Sequence, residues 1–353
     1  MNFNDIRIGY VPFSKRFSHP ADRRRFCYYA QKRNIKFETA KPSEAYDLIV
    51  LTENADLSVW YDYHKGKAKI IYDLIDSYLS IPRWNPKDLL RGVAKYVTRQ
   101  SRYLRLDYRK AIEEMCKRAD AVICTTDEQK QEILHYCKNV HIILDIHNSA
   151  IRLVKTDYSS EDVFNFVWEG FPENIETFYE IREVFKHLKI KHNIALHVVT
   201  DLEYGRFMRK YWKVNTKDVA HKFFNNVYIY EWNEQLLSTI ITACDMALIP
   251  IPLNDPLYKG KPENKLLLFW RMGVPTVVSA TPAYERTMQR CSLPMACRSQ
   301  EEWIVTLEKY IVDKSARQEA GQRGRAFVEE NYSEEKILAS WDNLFSTVLG
   351  LVK

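Results

Sequence analysis

Glycine is scarce in this chain, ten in 353 residues, and neither G-x-G-x-x-G nor G-x-x-x-x-G-K-[ST] occurs. The turns that let a backbone close on a pyrophosphate in dinucleotide oxidoreductases and P-loop ATPases are therefore missing. H-E-x-x-H and G-x-S-x-G are missing too, which removes support for a zinc peptidase or a serine hydrolase. The seven cysteines are odd in number, scattered and without a C-x-x-C pair, so neither a disulfide framework nor a zinc site is expected. No apolar run approaches the roughly 20 residues that span a bilayer. The opening MNFNDIRIGYVPF has no long apolar core of a signal peptide, and a cytosolic location is the expectation.

What is present describes a globular protein, 46% hydrophobic and 28% charged. Its length exceeds the size at which one core stops growing, so two α/β domains are expected. Short β-branched runs alternate with helical stretches, the pattern of a parallel, doubly wound sheet. Strands are expected at Ile6–Val11, Lys36–Thr39, Asp47–Thr52, Lys69–Leu74, Ala121–Thr125 and His141–Asp145. Regularity drops over residues 151–163, which are placed as a linker after an N-terminal domain of residues 1–150. A second series follows over 164–335, with strands at Phe164–Trp168, Ile194–Thr200, Val227–Tyr230 and Met246–Ile251. An amphipathic helix over 336–353, with Ser333 as its cap, closes the chain.

The formal net charge of +6 is concentrated in one stretch. Arg91 to Arg118 holds nine basic and three acidic residues. Read as one helix, it sets Arg91, Lys95, Arg99, Arg102 and Arg109 along one face. A solvated face and attraction to an anionic membrane surface are both open readings; nucleic acid is disfavoured for want of a binding motif.

From Lys261 to Tyr284, KPENKLLLFWRMGVPTVVSATPAY reads as loop, helix, turn and strand. Gly273 and Pro275 stop the helix. In an open α/β sheet the loop feeding such a helix lies near the carboxyl ends of the strands, where ligands bind. Lys261 and Lys265, with the N–H groups of the helix start, suit a phosphate.

Four segments of the second half, FVWEGFPENIETF, the Glu231-Trp232 pair after VYIY, ACDMALIPIPLNDPLYKGKPENK and LLLFWRMGVPTVVS, resemble the donor domain of GT-B glycosyltransferases of the group 1 or family 4 type. GQRGRAFVEENYSEEKILASWDNLF is similar to that family's closing helices. In the first half, element order and ADAVICTTDEQK carry the likeness. The resemblance implies two Rossmann-like doubly wound domains facing each other across a cleft, the C-terminal helix returning to the N-terminal domain. It also implies transfer of a sugar from a nucleotide-sugar donor to a glycan or lipid-linked acceptor in bacterial surface polysaccharide synthesis. Neither metal nor cofactor is implied, the nucleotide-sugar being a substrate.

It assigns the donor to Gly170, Pro172, Glu173, Glu231, Trp232, Lys261, Asn264 and Lys265, with Arg206 standing in for missing basic residues. Where the family often has glutamates this chain has Gly260 and Leu268, and Glu263 is the candidate substitute. Glu169 either faces the sugar or simply leaves its strand. On the acceptor side Asp76 and His19 are candidate bases; their alternatives are a helix cap and a histidine bonded to backbone. A non-catalytic sugar-nucleotide or glycan-binding subunit and a sugar-nucleotide epimerase of the same architecture stay open.

Overall fold

The computed structural model describes residues 6–64, 67–82, 86–206 and 212–350. The chain forms two compact units, Met1–Ile146 with Glu334–Lys353, and His147–Ser333.

In the first unit six strands, β1 (Ile8–Val11), β2 (Glu38–Thr39), β3 (Leu48–Thr52), β4 (Lys69–Asp73), β5 (Ala121–Cys124) and β6 (Val140–Ile142), form a parallel sheet in the order β2-β1-β3-β4-β5-β6. Every residue of LIVLT in β3 is buried, as an unbroken apolar run covered on both faces should be. One of those faces is covered by the C-terminal helix, Glu334–Leu349. Trp341 stacks on Tyr29 at 5.4 Å between ring centroids, Phe345 lies parallel to Phe26 at 6.0 Å, and Arg33 binds Asp342 at 2.8 Å. The return of this helix to the N-terminal unit is as the resemblance implied.

The basic stretch departs from the expected single helix. Two helices, Pro86–Val97 and Tyr108–Arg118, flank a non-helical turn. Arg99, at φ +60°, takes the left-handed position usually given to glycine, and the Gln100 N–H donates to the Lys95 carbonyl at 2.8 Å. Arg91, Lys95, Arg99, Arg102 and Arg109 therefore do not share one helix face.

In the second unit β7 (Phe164–Glu169) and β8 (Ile194–Thr200) are followed by an antiparallel hairpin, β9 (Glu203–Arg206) with β10 (Trp212–Asn215). Arg206, the candidate stand-in for the missing basic residues, is on this hairpin; its side chain lies outside the described residues. Then come β11 (Val227–Glu231), β12 (Met246–Ile249), β13 (Thr276–Ser279) and β14 (Ala296–Cys297), in a parallel sheet ordered β11-β8-β7-β12-β13-β14. Residues 151–163 pack on this unit: Lys155 N–H donates to the Met272 carbonyl, and Tyr158 hydroxyl to that of Gly273, both at 2.8 Å. Gly273, at φ +71°, ends the helix Asn264–Arg271 where M-G-V-P places the stop.

Candidate functional site

Strand order decides where a ligand sits in the second unit. The sequence runs outward from β7 through β8 to β11 on one side and from β12 through β13 to β14 on the other, so the sheet reverses between β7 and β12. At such a switch point the loops leaving the two strands diverge and open a crevice at their carboxyl ends. Those loops carry Gly170 and the turn Lys261–Lys265.

They meet. The Lys265 ammonium lies over the Trp168 ring, 4.6 Å from its centroid, and a Cβ on Gly170 would fall 2.5 Å from Lys265 Nζ and 2.8 Å from the indole. A side chain at Gly170 would have to displace the Lys265 ammonium and crowd the indole. Beside it the Tyr258 hydroxyl donates to Asn174 at 3.3 Å, tying the two loops together, and Lys261 Nζ sits 4.8 Å from the Tyr258 ring centroid. Asn264 opens the helix, whose N-cap residue, Glu263, makes no side-chain cap bond. Two half-buried lysines and a helix start, with its N–H groups lacking intrahelical acceptors, form a cationic rim suited to a diphosphate.

Glu263 does not join that rim. Its carboxylate is buried, accepts from Tyr332 at 3.3 Å and Thr287 at 3.4 Å, and is pushed up by desolvation. Leu268 is in the core, 1% exposed, so that position offers no ligand contact. Glu169 ends β7 buried, accepting the Trp232 indole N–H at 3.1 Å. Trp232 therefore holds Glu169 with its polar edge. Pro172 is buried and starts a run of 3₁₀ turns, Pro172–Ile181, while Glu173 and Glu231 are exposed.

In the first unit the carboxyl edge is built from acids. Asp22 is fully buried and accepts from the Tyr10 hydroxyl, the Phe13 and Ser14 N–H groups and the Ser14 hydroxyl at 2.7–2.9 Å, which shapes the loop after β1. His19 in that loop stacks on Phe13 at 3.8 Å, and its Nδ1 accepts the Ala21 N–H at 3.2 Å. His19 is therefore bonded to backbone as the N-cap of the short helix Pro20–Arg23. Asp73 is clamped by the Arg25 guanidinium through two 2.7 Å bonds.

Past β4, Asp76 is half-buried, and no side-chain hydrogen bond or ion pair engages its carboxylate among the described residues. It is not a side-chain helix cap. Glu53, directly after β3, accepts the Ile75 and Asp76 N–H groups at 3.1 and 2.9 Å and so fixes the turn that presents Asp76. Burial, with the Asp76 charge adding, pushes Glu53 up to about 8, against the pull of the Asp76 N–H bond. Lys95, expected on the outer face, turns inward: its Nζ is 2.5 Å from the Tyr108 hydroxyl, and burial lowers it to about 8.

No protein-family model matches the chain, and no curated protein matches it by sequence. Solved structures do match. A glycosyltransferase from Rickettsia africae ESF-5 aligns at TM-score 0.59 and 12% identity, covering 97% of this chain and 98% of its own. A mutant of S. aureus TarM, in complex with fondaparinux, alpha-GlcNAc-glycerol and UDP, aligns at 0.58 and 12%, covering 84% and 55%. Sucrose-phosphate synthase from Thermosynechococcus elongatus aligns at 0.56 and 14%, covering 97% and 81%. The fold is GT-B. The chain spans about half the length of TarM.

Within the GT-B fold the second unit brings together Gly170, Lys261, Asn264 and Lys265, and separately Glu169 with Trp232. It takes Glu263 away. Three residues were missed from sequence: Trp168, the platform under Lys265; Tyr258, which ties the loops; and Glu53. Only Glu53 left a signal, as a carboxylate immediately after a fully apolar strand.

Proposed function

We propose that the chain is a glycosyltransferase moving a sugar from a nucleotide-sugar donor to a glycan or lipid-linked acceptor, in synthesis of a bacterial surface polysaccharide. The observation that carries this is the Lys265 ammonium set against Gly170 at the β7–β12 switch point, with Lys261 on the same turn. As the sugar–phosphate bond breaks, negative charge grows on the departing diphosphate, and fixed cations near it stabilise that state more than the ground state. In this reading the lysines and the helix N–H groups supply the stabilisation, so no metal is required. The acceptor hydroxyl attacks the anomeric carbon and its proton passes to Asp76, whose backbone Glu53 holds. TarM, bound to UDP, supports a nucleoside diphosphate as the ligand class.

A non-catalytic binding subunit is the second reading, favoured by the burial of Leu268 and the inward turn of Glu263. Nucleotide release from a panel of sugar nucleotides separates the two. Release that depends on added acceptor is expected; donor conversion without acceptor would indicate an epimerase, and thermal stabilisation without turnover a binder.

A further inference from the structure

Apolar side chains exposed singly are ordinary, but the first unit gathers them. Between Val93 and Leu106 stand Tyr96 (46% exposed), Val97 (61%), Tyr103 (56%), Leu104 (47%) and Leu106 (53%). The chain builds this ridge deliberately. After the left-handed turn at Arg99, the Arg102 N–H donates to Asp56 at 2.7 Å and the Tyr103 N–H to the Ser58 hydroxyl at 3.1 Å. The strand of backbone beyond then crosses the helix at Gly92, where a Cβ would lie 1.9 Å from the Arg105 carbonyl oxygen. Only glycine allows that crossing.

The charges around the ridge are sorted. Lys95 turns inward to Tyr108, Arg105 pairs with Glu114 at 3.3 Å and Arg109 with Glu113 at 3.0 Å, whereas Arg99 and Arg102 are exposed beside the apolar side chains. We propose that this ridge inserts into the interfacial layer of a membrane containing anionic lipid. Leucine and valine enter the acyl boundary, tyrosine rings lie at headgroup level, and Arg99 and Arg102 select anionic headgroups. The apolar side chains give the main hold, since among the described residues 91–109 only Arg99 and Arg102 are exposed basic groups. This differs from a basic helix face acting by charge alone, and it does not depend on the transferase reading.

The test is co-sedimentation of the full chain with vesicles of phosphatidylcholine alone or mixed with phosphatidylglycerol, without substrates. The wild type binds the mixed vesicles. Leu104→Ser with Leu106→Ser lowers partition by about tenfold or more, as expected from losing two buried apolar side chains. Arg99→Glu with Arg102→Glu abolishes the preference for anionic lipid while residual binding to both vesicles persists. Leu104→Trp, which adds interfacial affinity, strengthens binding and guards against a misfolded serine variant. Absence of wild-type binding, or serine variants that bind as the wild type does, overturns the proposal. So does protection of the ridge from hydrogen exchange by a protein partner and not by vesicles.

Discussion

The two sheets share six parallel strands, yet their carboxyl edges carry opposite chemistry. In the first unit the edge holds acids: Asp22 and Asp73 with every oxygen engaged, Glu53 on two backbone N–H groups, and Asp76 presented at the end. In the second it holds a glycine between a lysine and an indole, a second lysine, Glu169 held by Trp232, and an exposed Glu231 at the end of β11. One architecture thus carries buried carboxylates at one edge and a pair of lysines at the other. Strand order places both edges, reversing between β1 and β3 in the first sheet and between β7 and β12 in the second, and the loop residues set the chemistry there.

Removing the clamp on the acidic edge has the largest expected effect. Asp73→Ala leaves Arg25, itself fully buried, with Asp145 and the Ile143 carbonyl as its remaining partners. Loss of one member of a buried pair costs about 3–5 kcal/mol, here toward the lower end because Asp145 stays. Urea unfolding should show the first unit destabilised while nucleotide-induced stabilisation of the second unit persists; loss of both together would mean that the edges are not independent.

The cationic edge is broken by Lys265→Ala. A charge-assisted contact to phosphate is worth about 1.5–3 kcal/mol, so nucleoside diphosphate affinity should fall roughly 10- to 100-fold by calorimetry. Stability of the unliganded protein should barely change. An unaltered affinity would remove the turn from the site.

Per pH unit, the smallest effect sharpens the acidic edge. Glu53 is raised in the folded state to about 8, above the roughly 4.3 of an unfolded glutamate. Its contribution to stability is therefore full below the unfolded value and lost as pH rises through the folded one. Relative to Glu53→Gln, which keeps an acceptor for the two N–H groups, the wild type should lose at most about 1.4 kcal/mol per pH unit between about pH 4.5 and 8, and nothing further above. Parallel stability profiles of the two proteins across that window would show that Glu53 is ionised throughout.

Much of this was readable in the residues. Largely apolar runs such as LIVLT and IALHVVT specify strands covered on both faces, and M-G-V-P stops a helix because glycine alone reaches the left-handed turn easily. Lys261 and Lys265 ahead of an apolar helix pointed to an anion. The break at Arg99 was not readable: no glycine or proline marks it, and the acceptors that hold the following turn, Asp56 and Ser58, lie more than 40 residues away. The same holds for Glu263. Position put it in the polar turn, but Tyr332 and Thr287, distant in sequence, draw it inside. His19 was open between two roles, and the backbone N–H that its ring accepts, from Ala21, belongs to a turn that the sequence does not mark.

By itself the sequence determined what depends on neighbours along the chain: strand and helix periodicity, the stop at Gly273, and the supply of cations to one loop. Tertiary structure decided what depends on partners brought from afar. It put Gly170 beneath Lys265, turned Lys95 inward and left the ridge at Leu104 outside. Close packing and the need to satisfy buried polar groups assign each side chain a direction, and no local pattern encodes that.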